Sequence, residues 1–368
     1  MTAPNRQTLH GLNALRSFAI LYVFIFHYTI LSKQQPEWLT NISSMGWTGV
    51  DLFFVLSGFL ISCHLFDEIK ETQSINLKRF FTKRFFRIIP AFLVIVGLYF
   101  LFPFFREKEA LPPLWKFLTF TQNIGLNIKD NGTFSHAWSL CVEEHFYLLL
   151  PIIFLVSLRI GAFKRLSWLL VILFLAGLII RIYSYNSLYL PHSNADDSWM
   201  YWYRYVYYPT YTRLDGLLVG VAIAALYKFR PATWQKLSRW GNLWILIGAC
   251  ILAIAFNAWE DIMEYQASVY GFPLVDIGLG LIVAGAVSEN SFLYRLKSKI
   301  INHIAAISYG MYLTHKGIIH ITHSLLPAEI NQSLLFLVSA ITCILAATIL
   351  YWVVEKPFMQ VRRKLVKE

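Results

Sequence analysis

Apolar residues along the chain gather into ten runs of about 20 residues, parted by short polar stretches. The runs predict helices at roughly 12–31, 47–66, 88–105, 136–158, 166–183, 208–227, 242–258, 267–287, 303–325 and 333–354. Each is near the length that a bilayer core demands. The expected fold class is all-α, a polytopic transmembrane helix bundle of about ten spans. It would be one integral-membrane domain over residues 1–368, with a short N-terminal segment 1–11 and a short basic tail 355–368. No cleavable signal peptide is expected, because the first apolar run is too long for one and no small-residue cleavage site follows it. No internal repeat is visible, which weighs against transporter folds built from two related halves.

The first helix breaks its own apolar pattern with Arg16 and His27. Eleven steps of about 100° return to within about 20° of the same face, and at ~1.5 Å per residue the two stand ~16 Å apart along it. Ionisable groups at membrane depth are costly and usually face a protein interior or a wet cavity. The plain alternative is a buried polar pair that only packs helices together. An imidazole accepts a proton from a hydroxyl near neutral pH, so His27 is the natural general base of the chain.

Composition agrees with a membrane bundle. The 368 residues are 57% hydrophobic and 14% charged, against about 25% charged in soluble domains. A net charge of +11 would suit a nucleic-acid binder, but its distribution points elsewhere. With the N-terminus placed inside, 22 Lys and Arg fall in inner segments, 6 in outer loops and 4 within spans. That asymmetry predicts both termini in the cytoplasm, membrane lipid as neighbour and no nucleic-acid partner. The four cysteines, Cys63, Cys141, Cys250 and Cys343, fall inside apolar runs without CxxC spacing. They read as small core residues, and no metal site is expected.

Other polar residues interrupt the runs. Asp51 could meet His27, fix its tautomer and support its protonated form, as a carboxylate does in a hydrolase triad. Equally, it could serve only its own helix dipole. Ser57 and Gly58 suit close helix packing, and Ser57 lacks the Gly-x-Ser-x-Gly elbow of a nucleophile. Arg84 and Arg87 share a helix face. They are either a juxtamembrane patch for anionic lipid or a phosphate clamp. Glu143 and Glu144 are adjacent within an apolar run, a strong anomaly; only Glu143 shares a face with Ser139 and Tyr147. Arg213, Asp215, Lys316 beside His315, and Glu355 are further candidates, at least half of this whole set being structural pairs. Pro357 is expected to end the last helix just after Glu355.

The outer loops differ from the inner ones. Segment 184–207 is rich in Tyr and Trp and holds Asp196 and Asp197; segment 259–266 has Glu260, Asp261 and Glu264 without Lys or Arg. Loop 106–135 is the longest, and its Trp115 to Gly125 portion could lie in the interface or re-enter. Aromatic loops suit sugar stacking, but the interfacial belt of membrane proteins is the commoner reason for them. Asn41, Asn131 and Asn331 open Asn-x-Ser/Thr sequons, all in expected outer loops.

In order, GLNALRSFAILYVFIFH, GVDLFFVLSGFLIS, RFFTKRFFRIIP, WSLCVEEHFYLLLP, RLDGLLVG, ISYGMYLTHKGI and WVVEKPF resemble the acyltransferase-3 family of membrane acyltransferases, from Gly11 to about Arg363. Each piece alone is weak; their order and spacing together are specific. The resemblance implies transfer of an acyl group, mostly acetyl, from cytoplasmic acyl-CoA to a hydroxyl of a glycan, lipid-linked sugar or small molecule. It also implies a bacterial inner membrane and a cell-surface glycan as acceptor. Carried over, His27 would be the essential histidine, Arg16 its partner, Arg84 and Arg87 the paired arginines on the CoA side, and Glu355 the carboxylate before the C-terminal Lys-Pro. Many members carry an extra soluble domain. Only 14 residues follow Val354 here, so the membrane acyltransferase domain is expected to act alone or with a separate partner.

The expected chemistry follows. Arg84 and Arg87 hold the phosphates of acyl-CoA, most often acetyl-CoA, and the pantetheine arm passes Arg16 to bring the thioester to His27. An acceptor hydroxyl from a saccharide or lipid-linked glycan loses its proton to His27 as it attacks. Asp51 supports the imidazolium, and Glu143, Glu144 and Glu355 serve the acceptor side. No permanently bound cofactor is expected. An acyl-His intermediate is the variant chemistry, and the residues name no source of hydrogen bonds for the oxyanion. The competing class is a transporter or flippase of a lipid-linked sugar or polysaccharide. The inner arginine cluster favours the enzyme, since a transporter needs no CoA-phosphate clamp. A structural scaffold fits poorly with so many ionisable groups within spans.

Overall fold

The computed structural model describes residues 9–32, 35–259, 261–327 and 329–366; Arg6, Lys33, Glu260 and Lys367, which enter the charge and loop patterns, lie outside the described residues. All ten expected helices form. They are α1 (His10–Leu31), α2 (Thr48–Thr72), α3 (Leu77–Leu101), α4 (Trp138–Arg159), α5 (Leu166–Tyr183), α6 (Asp215–Phe229), α7 (Gly241–Ala258), α8 (Phe272–Ala286), α9 (Lys299–Leu325) and α10 (Gln332–Leu350). A further helix, α11 (Lys356–Val366), follows α10, and no strand occurs among the described residues. Among the described residues, eight helical stretches are long and apolar enough to cross a membrane, fewer than the ten expected. The two outside that set are α6, with 15 residues, and α9, which carries Lys316 and four histidines. The chain is a multi-pass helical membrane protein.

Three boundaries differ from expectation, each for a local reason. α3 begins at Leu77 rather than near 88, so Arg84 and Arg87 stand on a helix and not in a loop. The Asn76 side chain caps it, accepting from the Arg79 N–H at 2.9 Å. Lys and Arg are good helix formers that hydropathy does not register. α6 begins only at Asp215, because Pro209 is extended and Arg213 breaks from helical geometry. Pro357 does not end the last helix. Tyr351–Glu355 makes a π-helical turn and the chain runs on as α11. Proline is tolerated there because it falls in the first turn of the new segment.

α1 packs against both α9 and α2; α10 backs α9, α6 crosses α2, α8 touches α2, α6 and α7, and α11 lies along α3. The α2–α6 crossing brings backbones together. A Cβ on Gly58 would lie 2.1 Å from the Leu217 carbonyl oxygen, and one on Gly220 2.2 Å from that of Val55. The packing expected of Gly58 is therefore real. Behind this crossing, Arg181 pairs with Asp215 and Arg213 with Asp51, all four buried. Loop 106–135 folds back onto the bundle, with Gln122, Asn123 and Phe134 buried. There Asn123 donates to the Tyr208 carbonyl at 3.1 Å and to the Thr210 hydroxyl at 2.9 Å. The Asn331 side chain caps α10, accepting from the N–H groups of Ser333 and Leu334.

Candidate functional site

Among the described residues, two cavities lie toward opposite ends of the same helices. The first, of about 650 Å³, is lined by His27 at the far end of α1, by the start of α2, and by residues just before α4 and α8. The second, of about 410 Å³, is lined by Arg16 near the start of α1, by Arg84 and Arg87 on α3, and by Glu355 after α10. Val50 and Tyr312 line both, so these two side chains divide them. Three π-helical turns supply wall residues: Tyr203–Tyr207 and Ala267–Gly271 to the first cavity, Tyr351–Glu355 to the second. A π turn rotates the residues that follow it relative to a regular helix, and such turns are frequent at functional sites.

The second cavity gathers most of the residues that the sequence singles out. Arg16, Arg84 and Arg87 share it with Glu143, Glu144 and Glu355. Glu143 is held as its helical position predicts. It accepts from the Tyr147 hydroxyl at 2.9 Å and from the Ser57 hydroxyl at 3.2 Å. Ser57 is thus a partner of a carboxylate. Arg84 lies 4.6 Å from the centre of the Tyr147 ring, and Arg16 donates to the Ser308 hydroxyl at 3.3 Å. Among the described residues none of these three arginines is ion-paired with a carboxylate. Their forked donors are left to face the cavity, where they match phosphate oxygens. Glu355 is buried with one carboxylate oxygen unbonded, beside Gly310, where a Cβ would come within 3.0 Å of that oxygen.

In the first cavity His27 does not meet Asp51, and that expectation is corrected. Asp51 is committed to Arg213, whose guanidinium also stacks 4.0 Å over the Phe272 ring. A buried guanidinium needs a counter-charge, and Asp51 supplies it. The partner of His27 is His315. His27 Nδ1 lies 3.0 Å from His315 Nε2 and 3.1 Å from the Val23 carbonyl oxygen. His315 Nδ1 in turn faces the carbonyls of Tyr312 at 2.9 Å and Met311 at 3.1 Å. Carbonyls only accept, so His315 carries its proton on Nδ1 and offers Nε2 as acceptor. His27 then carries its proton on Nδ1 and donates it to His315. That leaves His27 Nε2 as a bare lone pair, on a ring that lines the cavity. A second imidazole does here the orienting work expected of a carboxylate.

Two further residues stand beside this dyad. His136 lies with ring centres 5.8 Å from His27 and 4.8 Å from His315. Lys316 is buried, ion-paired with Glu107 at 3.2 Å, and donates to the Ser135 hydroxyl at 3.2 Å. Sequence reading names His315 and Lys316 only as candidates and gives His136 no role. The available signal was a third histidine at the head of the Glu143-Glu144 helix, at the same outer end as His27. Among the described residues no group of three or more His, Cys, Asp or Glu is arranged to hold a metal ion. The wall also carries five tryptophans, Trp47, Trp138, Trp199, Trp202 and Trp259, among aliphatic residues, with Asp261 and Lys108 adding charge.

The arrangement can hold a polyanion by its phosphates at one end and abstract a hydroxyl proton at the other. A family model described as an acyltransferase domain matches residues 9–353. The peptidoglycan O-acetyltransferase OatA of Listeria monocytogenes is 30% identical over 350 residues, covering 90% of this chain and 52% of that protein. The O-acetyltransferase OatA of Staphylococcus aureus strain NCTC 8325 is 29% identical over 367 residues, covering 95% of this chain and 57% of that protein. The chain therefore spans little more than half the length of these curated relatives. No solved structure matches it. With the family match running across nearly every helix that builds the two cavities, the chain belongs to the acyltransferase-3 family.

Proposed function

We propose that this chain transfers an acyl group, acetyl in the first instance, from acyl-CoA to a hydroxyl of a cell-surface glycan. The observation that carries the reading is the pairing of two cavities across Val50 and Tyr312, one with three unpaired guanidiniums and one with a tautomer-locked histidine among tryptophans. Arg84 and Arg87 take the CoA phosphates, Arg16 stands further in, and the thioester reaches past Tyr312 to His27. The acceptor hydroxyl enters the tryptophan cavity, whose rings suit the apolar faces of sugars. His27 Nε2 takes its proton as the oxygen attacks the thioester carbon. The carbonyl electron pair moves onto its oxygen, and on collapse the C–S bond breaks while His27 returns the proton to the CoA sulfur. Glu143, Glu144 and Glu355 belong to the donor side rather than the acceptor side, since all three line the arginine cavity.

The relatives' names extend the reading to the glycan of the cell wall as acceptor. The excess of Lys and Arg in the inner segments supports a cytoplasmic arginine cavity, both termini inside and an inner-membrane location. The test is acetyl-CoA binding by the purified chain, wild type beside an Arg84→Ala/Arg87→Ala double variant and His27→Ala. Wild type and His27→Ala should bind alike while the double variant fails, and His27→Ala should lose transfer. Undiminished binding by the arginine variant, or no binding by any of the three, overturns the donor assignment.

A further inference from the structure

Among the described residues, His136 is the imidazole of the cluster whose ring nitrogens make no hydrogen bond of full geometry, the Leu313 carbonyl being a poorly aligned neighbour. It is 2% exposed, and neither ring nitrogen has a partner at hydrogen-bonding geometry. Buried polar atoms are satisfied in the great majority of cases, so ring nitrogens without a well-formed partner on a cavity wall are available to a molecule that enters it. The ring lines the same cavity as His27.

The chain goes to some length to hold it there. Phe134, two residues earlier, is fully buried in the left-handed region at φ +55°, a conformation that costs a bulky residue energy. Its N–H donates to Glu107 at 3.0 Å, and the same carboxylate oxygen pairs with Lys316. Lys316 holds the Ser135 hydroxyl, and the Tyr312 hydroxyl donates to the His136 carbonyl at 2.7 Å. Three groups, Glu107, Lys316 and Tyr312, thus over-determine a short strained segment, and the side chain it delivers to the cavity is His136. Strain that surrounding contacts hold in place is found at functional sites.

We infer that His136 is a catalytic residue, the hydrogen-bond donor to the oxyanion of the tetrahedral intermediate, with Lys316 lining the same cavity. The inference rests on the acyl-transfer reading above. Geometry allows it: a hydroxyl oxygen ~3 Å from His27 Nε2 attacks a carbonyl whose oxygen ends about 2–3 Å further on. With a further ~3 Å for the hydrogen bond from that oxygen to His136, the bent path reaches up to about 8 Å between the two ring nitrogens, and the rings, 5.8 Å apart between centres on one cavity wall, lie within that reach. A neutral imidazole always carries one N–H to donate. As the C–O bond forms, the carbonyl electron pair goes to the oxygen facing His136. When the C–S bond breaks, the pair returns and the hydrogen bond weakens, with no proton lost from His136.

The experiment uses the full chain in lipid nanodiscs with acetyl-CoA as donor and chitotetraose as the acceptor probe. It compares wild type, His136→Phe, which fills the space without a donor, and His136→Gln, which restores an N–H. His136→Phe should lose about 10²–10³ in kcat, with acetyl-CoA affinity unchanged. His136→Gln should recover at least tenfold of that loss, which a purely structural ring would not allow. His136→Phe turning over like wild type, or His136→Gln no better than a folded His136→Phe, overturns the inference alone. If wild type itself transfers nothing to the probe while binding acetyl-CoA, chitotetraose is replaced by isolated cell-wall glycan. Failure there overturns the acyl-transfer reading and this inference with it.

Discussion

At the scale of single residues, the proposed reaction separates groups that would do chemistry from groups that hold charge. His27 and His315 form a dyad whose protons are dictated by backbone carbonyls, so His315 positions His27 without carrying charge itself. His315→Phe should lower kcat by about 10²-fold or more, close to the loss for removing a general base, while thermal melting of the purified protein changes little. A melting loss as large as the kinetic one would reduce His315 to a packing residue. Asp51 predicts the opposite pattern. Asp51→Ala leaves the Arg213 guanidinium buried and unpaired, which costs about 3–5 kcal/mol. The protein should melt earlier, while the molecules that stay folded keep their kcat. A variant that melts like wild type but loses turnover would return Asp51 to the reaction. The sequence placed Asp51 and His27 at the same end of neighbouring helices. It could not say that Arg213, 162 positions later, would claim the carboxylate first.

At the scale of elements, helix crossings set how the two cavities meet. α2 carries Val50 at the dividing wall, and its crossing with α6 depends on the absence of side chains at Gly58 and Gly220. Gly58→Leu should separate the helices, cut folded yield and lower the melting temperature. Gly97 in α3 is the control, with nothing within 4 Å of an added Cβ. Gly97→Ala should raise stability by up to about 1 kcal/mol through helix propensity. Equal melting of both variants would mean the α2–α6 crossing is not held by its glycines. The existence and order of the helices were legible in the sequence because apolar runs of that length have few other uses. The π turns were not, since a one-residue register shift leaves the hydropathy of a helix unchanged. Hence the continuation past Pro357 was missed, although the turn before it carries Glu355 into the arginine cavity.

At the scale of the whole molecule, the proposal requires the two cavities to open on opposite faces of the membrane. Lys364 in α11 and Asp196 in the loop after α5 are both exposed and lie at the two expected faces. In a background with the four native cysteines replaced, Lys364→Cys in intact cells should resist a membrane-impermeant maleimide, while Asp196→Cys should react. The reverse result would put the arginine cavity outside, where acyl-CoA is absent.

The sequence by itself determined that the chain is an all-helical membrane bundle, and that Arg16, Arg84, Arg87, Glu143, Glu144 and Glu355 are polar groups a bilayer would not tolerate idly. It did so because the cost of burying charge in hydrocarbon is a property of each segment alone. Tertiary structure decided which of those groups face one another. It sent six of them to a single cavity, took Asp51 away to Arg213, and brought His315 and His136 from distant helices to His27. Partner choice depends on helix rotation and crossing, which backbone close approaches and π turns fix to within a fraction of a helical turn. No pattern of apolar and polar positions along one helix contains that information about its neighbours.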